Sequence, residues 1–476
     1  SIENFVKKLS ALKKVAPVDL ICEFYSSYQD VSKEKQRDSF DQFLGWASVI
    51  LSDFNEMDAN LVDVKSFFDF QFTLQKMNQW SKNEDQSNTI QNHLEFWNLM
   101  PKLYWALCKR LQKKQQATLG MIFRKAVANL EFYLSQTNKH HFFVGFNALN
   151  ESEAQIIQEF ISRNKGIVYW DIDQHFFQDE GHVAGKFIRQ YHKNWKSLRS
   201  KAVSFQKHYT KSKKIELIGV SKNVAQAKYA AHLAAQIALD HPNEKTAVVF
   251  GKESLLTPAL SALDGNALSW NVTMGYPLKE TPCADFFELF FQLHLNNNRG
   301  TFSYKNLKSL LNTHWCLQLF KFHDLYPDEH LKYFESKNLY SFSQSKLYQL
   351  DEDQAIDHCF FAPLDSITNF IRRLICICEY FMSFLEQTKE ANAELHFIYF
   401  QKFKAIFKQL ELMHHKYNFV ENLPLLLLVF RELIRGEKID FIGEPLEGIQ
   451  FMGLLETRLL DFDNLVITNL NEGILP

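Results

Sequence analysis

The chain has 476 residues, enough for at least two domains, and its 46% hydrophobic and 23% charged content excludes a wholly disordered, collagenous or low-complexity protein. Its formal charge of −2 excludes a global electrostatic attraction to nucleic acid, so any such contact must come from local patches. Gly at 16 and Pro at 11 are scarce while Phe reaches 44, which points to long helices and to apolar faces filled with flat rings, although base composition of the gene alone also inflates Phe.

Seven cysteines, at positions 22, 108, 283, 316, 359, 376 and 378, show neither a C-x-x-C pair nor a companion histidine spacing. We therefore expect incidental thiols in a reducing, cytoplasmic compartment. The longest apolar run, Leu423 to Phe430, is interrupted by Pro424 and is too short to cross a bilayer, so no membrane partner is expected. The chain starts with Ser1 rather than Met, has no leader pattern, and ends directly after a strand pattern, which suggests a segment of a longer protein.

From residue 17 to 137 the pattern is helical. Phe40, Phe43, Leu44, Ala47, Ile50, Leu51 and Phe54 make one stripe, and Pro17 sits where a helix would begin. A second stripe, Leu103, Ala106, Leu107 and Leu111, lies beside Lys109, Arg110, Lys113 and Lys114, a cluster that fits a solvated helix face or a phosphate contact.

At residue 140 the texture changes. His141 to Phe146 reads as a buried strand, Asn147 to Asn150 as a turn, and Asn150 or Ser152 as the cap of a helix with Ala154, Ile157, Phe160 and Ile161 inward. Gly166 to Asp171 reads as the next strand, and strand, helix, strand over this length is the signature of a parallel sheet. Residues 193–214 form a basic stretch with almost no acid. It holds Lys193, Lys196, Arg199, Lys201, Lys207, Lys211, Lys213 and Lys214, with Trp195, Phe205 and Tyr209 between them. Cations that track phosphates and rings that stack on bases suit a nucleic-acid groove; a solvated crossover helix fits the same residues.

Beyond this stretch the α/β pattern returns. Strands are expected at 215–220, 246–250 and 269–272, with an Ala-rich helix over 223–239 and another around 254–263. Residues 281–436 read as mostly helical, and strands reappear at 449–452 and 465–468. No G-x-x-x-x-G-K-[ST] is present, so the backbone cradle and lysine that hold nucleotide phosphates are missing, and no Ser, His, Asp arrangement or H-E-x-x-H appears. We assign no catalytic residue and no metal ligand. Asp171 and Asp173 are spaced to share a hard cation, but acids at strand ends more often serve as caps; His140-His141 and His414-His415 are adjacent pairs whose rings diverge.

The last segment, Arg458-Leu459-Leu460-Asp461-Phe462-Asp463-Asn464-Leu465-Val466-Ile467-Thr468 through Glu472-Gly473-Ile474-Leu475-Pro476, resembles the fifth motif of superfamily 1 DNA helicases of the UvrD type. That motif runs H-x-x-K-G-L-E-F, then an apolar strand, then E-G-x-x-P. Here Leu455 stands for the histidine, Arg458 for the lysine and Leu459 for the glycine. In the same way Gly145-Phe146 occupies the place of the second motif's Asp-Glu, and Asp171-Ile172-Asp173-Gln174 looks like the third motif's G-D-x-x-Q turn. Residues 225–229, 246–250 and 272–278 are similar to the second lobe of these helicases.

Together these segments resemble the AddB-type proteins, inactivated relatives of the helicases, in particular long bacterial members with a C-terminal PD-(D/E)XK nuclease. The resemblance implies an α/β fold of two incomplete RecA-like lobes with two large helical insertions. The first lobe would comprise 138–192 with its insertion at 1–137, followed by the basic linker 193–214. The second would comprise 215–300 and 437–476 with its insertion at 301–436. It implies a DNA-binding scaffold for double-strand break repair that contacts single-stranded or forked DNA and works with an AddA-like helicase-nuclease subunit. Mg²⁺ and an iron–sulfur cluster would belong to the full-length protein, not to this segment. Two other readings stay open: an ATP-driven helicase whose Walker lysine lies upstream, and an interaction scaffold that binds no DNA.

Overall fold

A computed structural model describes residues 1–34, 37–80, 87–199, 205–263, 269–295, 301–322, 327–343, 360–361, 364–387, 393–440 and 448–475. The fold is α/β and mostly helical, with small parallel sheets. No helix among the described residues is long and apolar enough to cross a membrane. The chain divides into two compact units, Ser1–Leu217 and Ile218–Pro476.

In the first unit, α1 (Ile2–Ser10), α2 (Pro17–Val31), α3 (Phe40–Ala59), α4 (Val64–Trp80), α5 (Ser87–Lys113) and α6 (Leu119–Gln136) precede the sheet, and two short parallel strands, β1 (Lys13–Lys14) and β2 (Gln116–Ala117), tie the start of α2 to the end of α5. The expected stripe of α3 is inward: Phe43, Ala47 and Phe54 are buried, and Phe43 packs its ring on Phe24 and Tyr25 of α2. Gly120 lets α6 approach α3 closely, because a Cβ there would lie 2.1 Å from the Asn55 carbonyl oxygen. The Lys109 to Lys114 cluster is in part internal: Arg110 reaches Asp30 and lies 3.9 Å from the buried Glu23, to which Lys114 also donates. That pairing favours the structural role for those two cations.

Next come β3 (His141–Val144), α7 (Glu151–Ser162) and β4 (Gly166–Tyr169), with β3 parallel to β4 and His141 opposite Gly166. Asn150 is the cap: its side chain accepts from the Glu153 amide while the Glu153 carboxylate accepts from the Asn150 amide. Ser152 instead donates to the Ala59 carbonyl at 2.7 Å, fastening α7 to the end of α3. Both strands are shorter than their apolar runs; Gly145, at φ +80°, turns the chain out of β3. Phe143 faces the core with Ile157 and Phe160, whereas Phe142 and Tyr169 stack on the outer face of the pair. Helices α8 (Gln174–Gln178) and α9 (Lys186–Asn194) follow.

The strand expected at 215–220 does not form. Leu217 is 88% exposed, and no ladder partner for this segment exists among the described residues. β propensity without a neighbouring strand leaves backbone donors and acceptors to water, so the run stays irregular.

The second unit begins with α10 (Asn223–Asp240), β5 (Thr246–Phe250) and α11 (Leu256–Leu260), continues through β6 (Trp270–Val272), β7 (Gly275–Pro277) and α12 (Pro282–Leu295), then β8 (Thr301–Ser303), α13 (Tyr304–Leu311), α14 (His314–Phe322), α15 (Pro327–Ser336) and β9 (Ser341–Ser343). Three further helices, α16 (Ile367–Gln387), α17 (Ala393–Tyr417) and α18 (Leu423–Arg435), lead to β10 (Lys438–Asp440), β11 (Ile449–Gly453) and β12 (Asn464–Ile467). β12, β5, β11 and β6 form, in that order, a four-stranded parallel sheet. The Ala-rich stripe of α10 explains its closeness: Ala227, Ala230, Ala231, Ala234 and Ala235 are all buried against Val248, Phe250 and Phe451. Two small antiparallel pairs, β7 with β10 and β8 with β9, were not legible in the sequence.

The Phe excess has a structural use. Phe286, Phe287, Phe290 and Phe291 on α12 are fully buried, and they meet Phe381 of α16, Phe403 and Phe407 of α17 and Phe430 of α18. Phe286–Phe381 and Phe287–Phe407 meet edge to face and Phe291–Phe430 stack, and aromatic pairs of this kind add roughly 0.5 to 1.5 kcal/mol each beyond area burial.

Candidate nucleic-acid interface

The basic stretch belongs to the first unit, and one acid organises it. Asp173 caps α8, its Oδ1 accepting from the His175 amide at 2.9 Å, while Oδ2 accepts from the His208 amide at 2.7 Å and the Tyr209 amide at 3.0 Å. The Gln174 amide donates to the Gln206 carbonyl at 2.9 Å, closing a one-residue parallel bridge between Asp173 and Gln206. These backbone donors, that of His175 first and then those of Tyr209 and His208, hold the Asp173 carboxyl below the usual carboxylate range. Its oxygens are thus committed to a tether, while Asp171 is exposed; among the described residues no group of three potential ligands could hold a metal ion.

The tether positions an aromatic ledge. The Tyr209 ring, 49% exposed, stacks on His175 with centroids 4.9 Å apart and meets Phe176 at 4.5 Å. The Lys213 ammonium sits 5.0 Å from the Tyr209 centroid, and Phe205 packs on Phe177. Arg189 fastens the preceding loop by donating to the carbonyls of Glu180 and His182 as well as Phe176, and Gly185 leaves room for it.

In the same stretch Lys193, Lys196, Arg199, Lys207 and Lys211 are exposed, and none forms an ion pair among the described residues. The Arg199 Nε donates to the Lys193 carbonyl at 2.9 Å, holding that turn. Lys201 lies outside the described residues. Trp195 corrects the sequence reading. It is 5% exposed and packed between Trp170 and Tyr191, so its faces are used within the core and cannot stack on a base. A large apolar ring next to Leu198 gains more from burial than from solvent.

The remaining singled-out positions distribute over the two units. In the first, Gly145 and Phe146 offer no carboxylate at the end of β3, and Phe146 packs towards Phe143. In the second, Arg458, Leu459 and Asp461 lie on the exposed crossover from β11 to β12, and Leu459 adopts φ +64°, a left-handed conformation suited to glycine. Glu472 and Gly473 form an exposed turn with Gly473 at φ +81°. Beside it, Asn469 is buried; its amide donates to Gln226 Oε1 at 3.1 Å, linking the loop after β12 to the first turn of α10.

Sequence reasoning named Tyr209 and a capping acid but missed that Asp173 ties the segment 206–209 to the start of α8. The only available signal was an acid two residues before an aromatic pair, which is also an ordinary cap. No protein-family model matches the chain, and no curated protein matches it either.

Proposed function

We propose that this chain is a non-catalytic, helicase-shaped DNA-binding scaffold of the AddB type, serving double-strand break repair beside an AddA-like helicase-nuclease subunit. Its two α/β units would be RecA-like lobes that keep shape and have lost nucleotide chemistry. The observation that carries this reading is the set of five exposed cations, without acidic partners among the described residues, in the same stretch as the half-exposed Tyr209. Cations following a backbone and a ring offered to a base are what sequence-independent single-strand binding needs. Two further features agree with lost hydrolysis: Gly145-Phe146 supplies no acid for Mg²⁺, and Leu459 keeps a glycine's backbone where the family motif has its Lys-Gly pair.

The test is fluorescence anisotropy with labelled oligo-dT and with a forked duplex over a salt series, alongside an ATPase assay. The expectation is salt-dependent binding without ATP turnover. For the variant K193A/K196A/K207A, the slope of log K against log salt should fall by about 2, from roughly 0.7 per lost single-strand phosphate contact. Absence of binding at about 50 mM salt, where phosphate contacts are strongest, would contradict the proposal, as would a clear ATPase activity.

A further inference from the structure

The helical part of the first unit contains a cavity of about 440 Å³ between α3, α4 and α5. Its apolar walls are Phe54, Met57, Phe67, Phe68, Trp97 and Met100. Among the described residues its lining also includes two carboxylates, Asp53 and Glu56, and no Lys or Arg. Both acids are exposed, and neither forms an ion pair among the described residues.

The wall is held by the chain itself. The Val62 amide donates to the Met57 carbonyl at 2.9 Å, and the Asn60 amide to the Glu56 carbonyl at 2.9 Å, while Leu61 takes φ +52°, a tight helix C-terminus. From α6, Arg124 donates to the carbonyls of Met57 at 3.0 Å and Val62 at 2.8 Å, and its Nε pairs with the buried Asp58 at 2.6 Å. A ligand therefore meets an α3 wall that is already fixed, which lowers the entropy lost on binding.

We infer that this cavity is a docking site for an amphipathic helix of a partner protein, one that brings apolar anchors flanked by Lys or Arg. The walls accept bulky side chains, with Met and aromatic rings adapting to their outline. The two carboxylates select positive flanks and disfavour the phosphates of a nucleic acid. This site is separate in composition from the basic ledge, so the two readings stand or fall independently.

The experiment uses the full 476-residue chain with ¹³C-labelled methionine methyls. One synthetic helix carries Leu at i, i+4 and i+7 with Lys on its flanks, and a second carries Glu in place of Lys. The Lys peptide should shift the Met57 and Met100 methyls and bind about tenfold more tightly than the Glu peptide, with the difference shrinking in high salt. Asp53→Lys/Glu56→Lys, two exposed substitutions, should reverse that preference. Equal affinity for both peptides, no shift at Met57 and Met100, or displacement of the Lys peptide from those methyls by oligo-dT would overturn the inference.

Discussion

Replacing Arg124 with Met removes the cation that pairs with the buried Asp58. Asp58 is fully buried; its Oδ1 accepts from the Arg124 Nε at 2.6 Å and from the Tyr104 hydroxyl at 2.7 Å, and its Oδ2 has no hydrogen-bond partner among the described residues. Breaking a buried pair by deleting one partner costs about 3 to 5 kcal/mol, and the lower end applies because the Arg124 side chain is 34% exposed and solvent already screens it. The expected loss is thus about 3 kcal/mol in urea unfolding followed by Trp fluorescence, to which the first unit supplies six of eight tryptophans.

The pH dependence supplies a second readout. Burial raises the Asp58 carboxyl above its ordinary value, against the lowering effects of Tyr104 and Arg124. The native state then holds this proton more tightly than the unfolded state. Its contribution to stability falls as pH rises from the ordinary carboxylate value, 3.8, to the raised native one, and is constant outside that window. Without the guanidinium the native value rises further and the window widens upwards. The R124M defect should therefore be smallest at acid pH and grow towards neutrality, and D58N/R124M should recover at least half of it. A defect below about 1 kcal/mol, a difference flat in pH, or no rescue by Asn would refute this account of the pair.

Further outcomes follow from single residues. D173A should speed hydrogen exchange at the His208 and Tyr209 amides and weaken oligo-dT binding, whereas unchanged exchange would show that the tether does not hold the segment. L459G should stabilise the second unit by about 0.5 to 1 kcal/mol, the left-handed strain of a leucine less glycine's entropy, and a net loss in its unfolding transition would count against that strain. G120A should destabilise the first unit by about 1 to 3 kcal/mol because its Cβ would strike the Asn55 carbonyl; G45A, with nothing within 4 Å of the added Cβ, should instead gain roughly 0.5 to 1 kcal/mol from helix propensity. Equal effects of the two substitutions in urea titration would remove the distinction.

The helical stripes, the Asn150 cap, the β3-α7-β4 unit and the Ala-rich α10 were legible because each depends on neighbours within one turn or one strand length. The strand expected at 215–220 was not decided by such neighbours, since it needed a partner strand that the described structure does not place beside it. Likewise β7 and β10 are three residues each and find one another across a long stretch of sequence.

The candidate site divides in the same way. Composition alone localised the basic stretch at 193–214 and showed that no phosphate cradle accompanies it. Which of its aromatic rings is exposed was a tertiary decision: Trp195 went into the core with Trp170 and Tyr191, while Tyr209 stayed half-exposed, its amide held by Asp173 and its ring stacked on His175. Charge and periodicity are properties of a segment and can be counted along it. Burial of a ring, or the number of donors that converge on a carboxylate, depends on residues brought together from distant positions, and only the packed fold determines those.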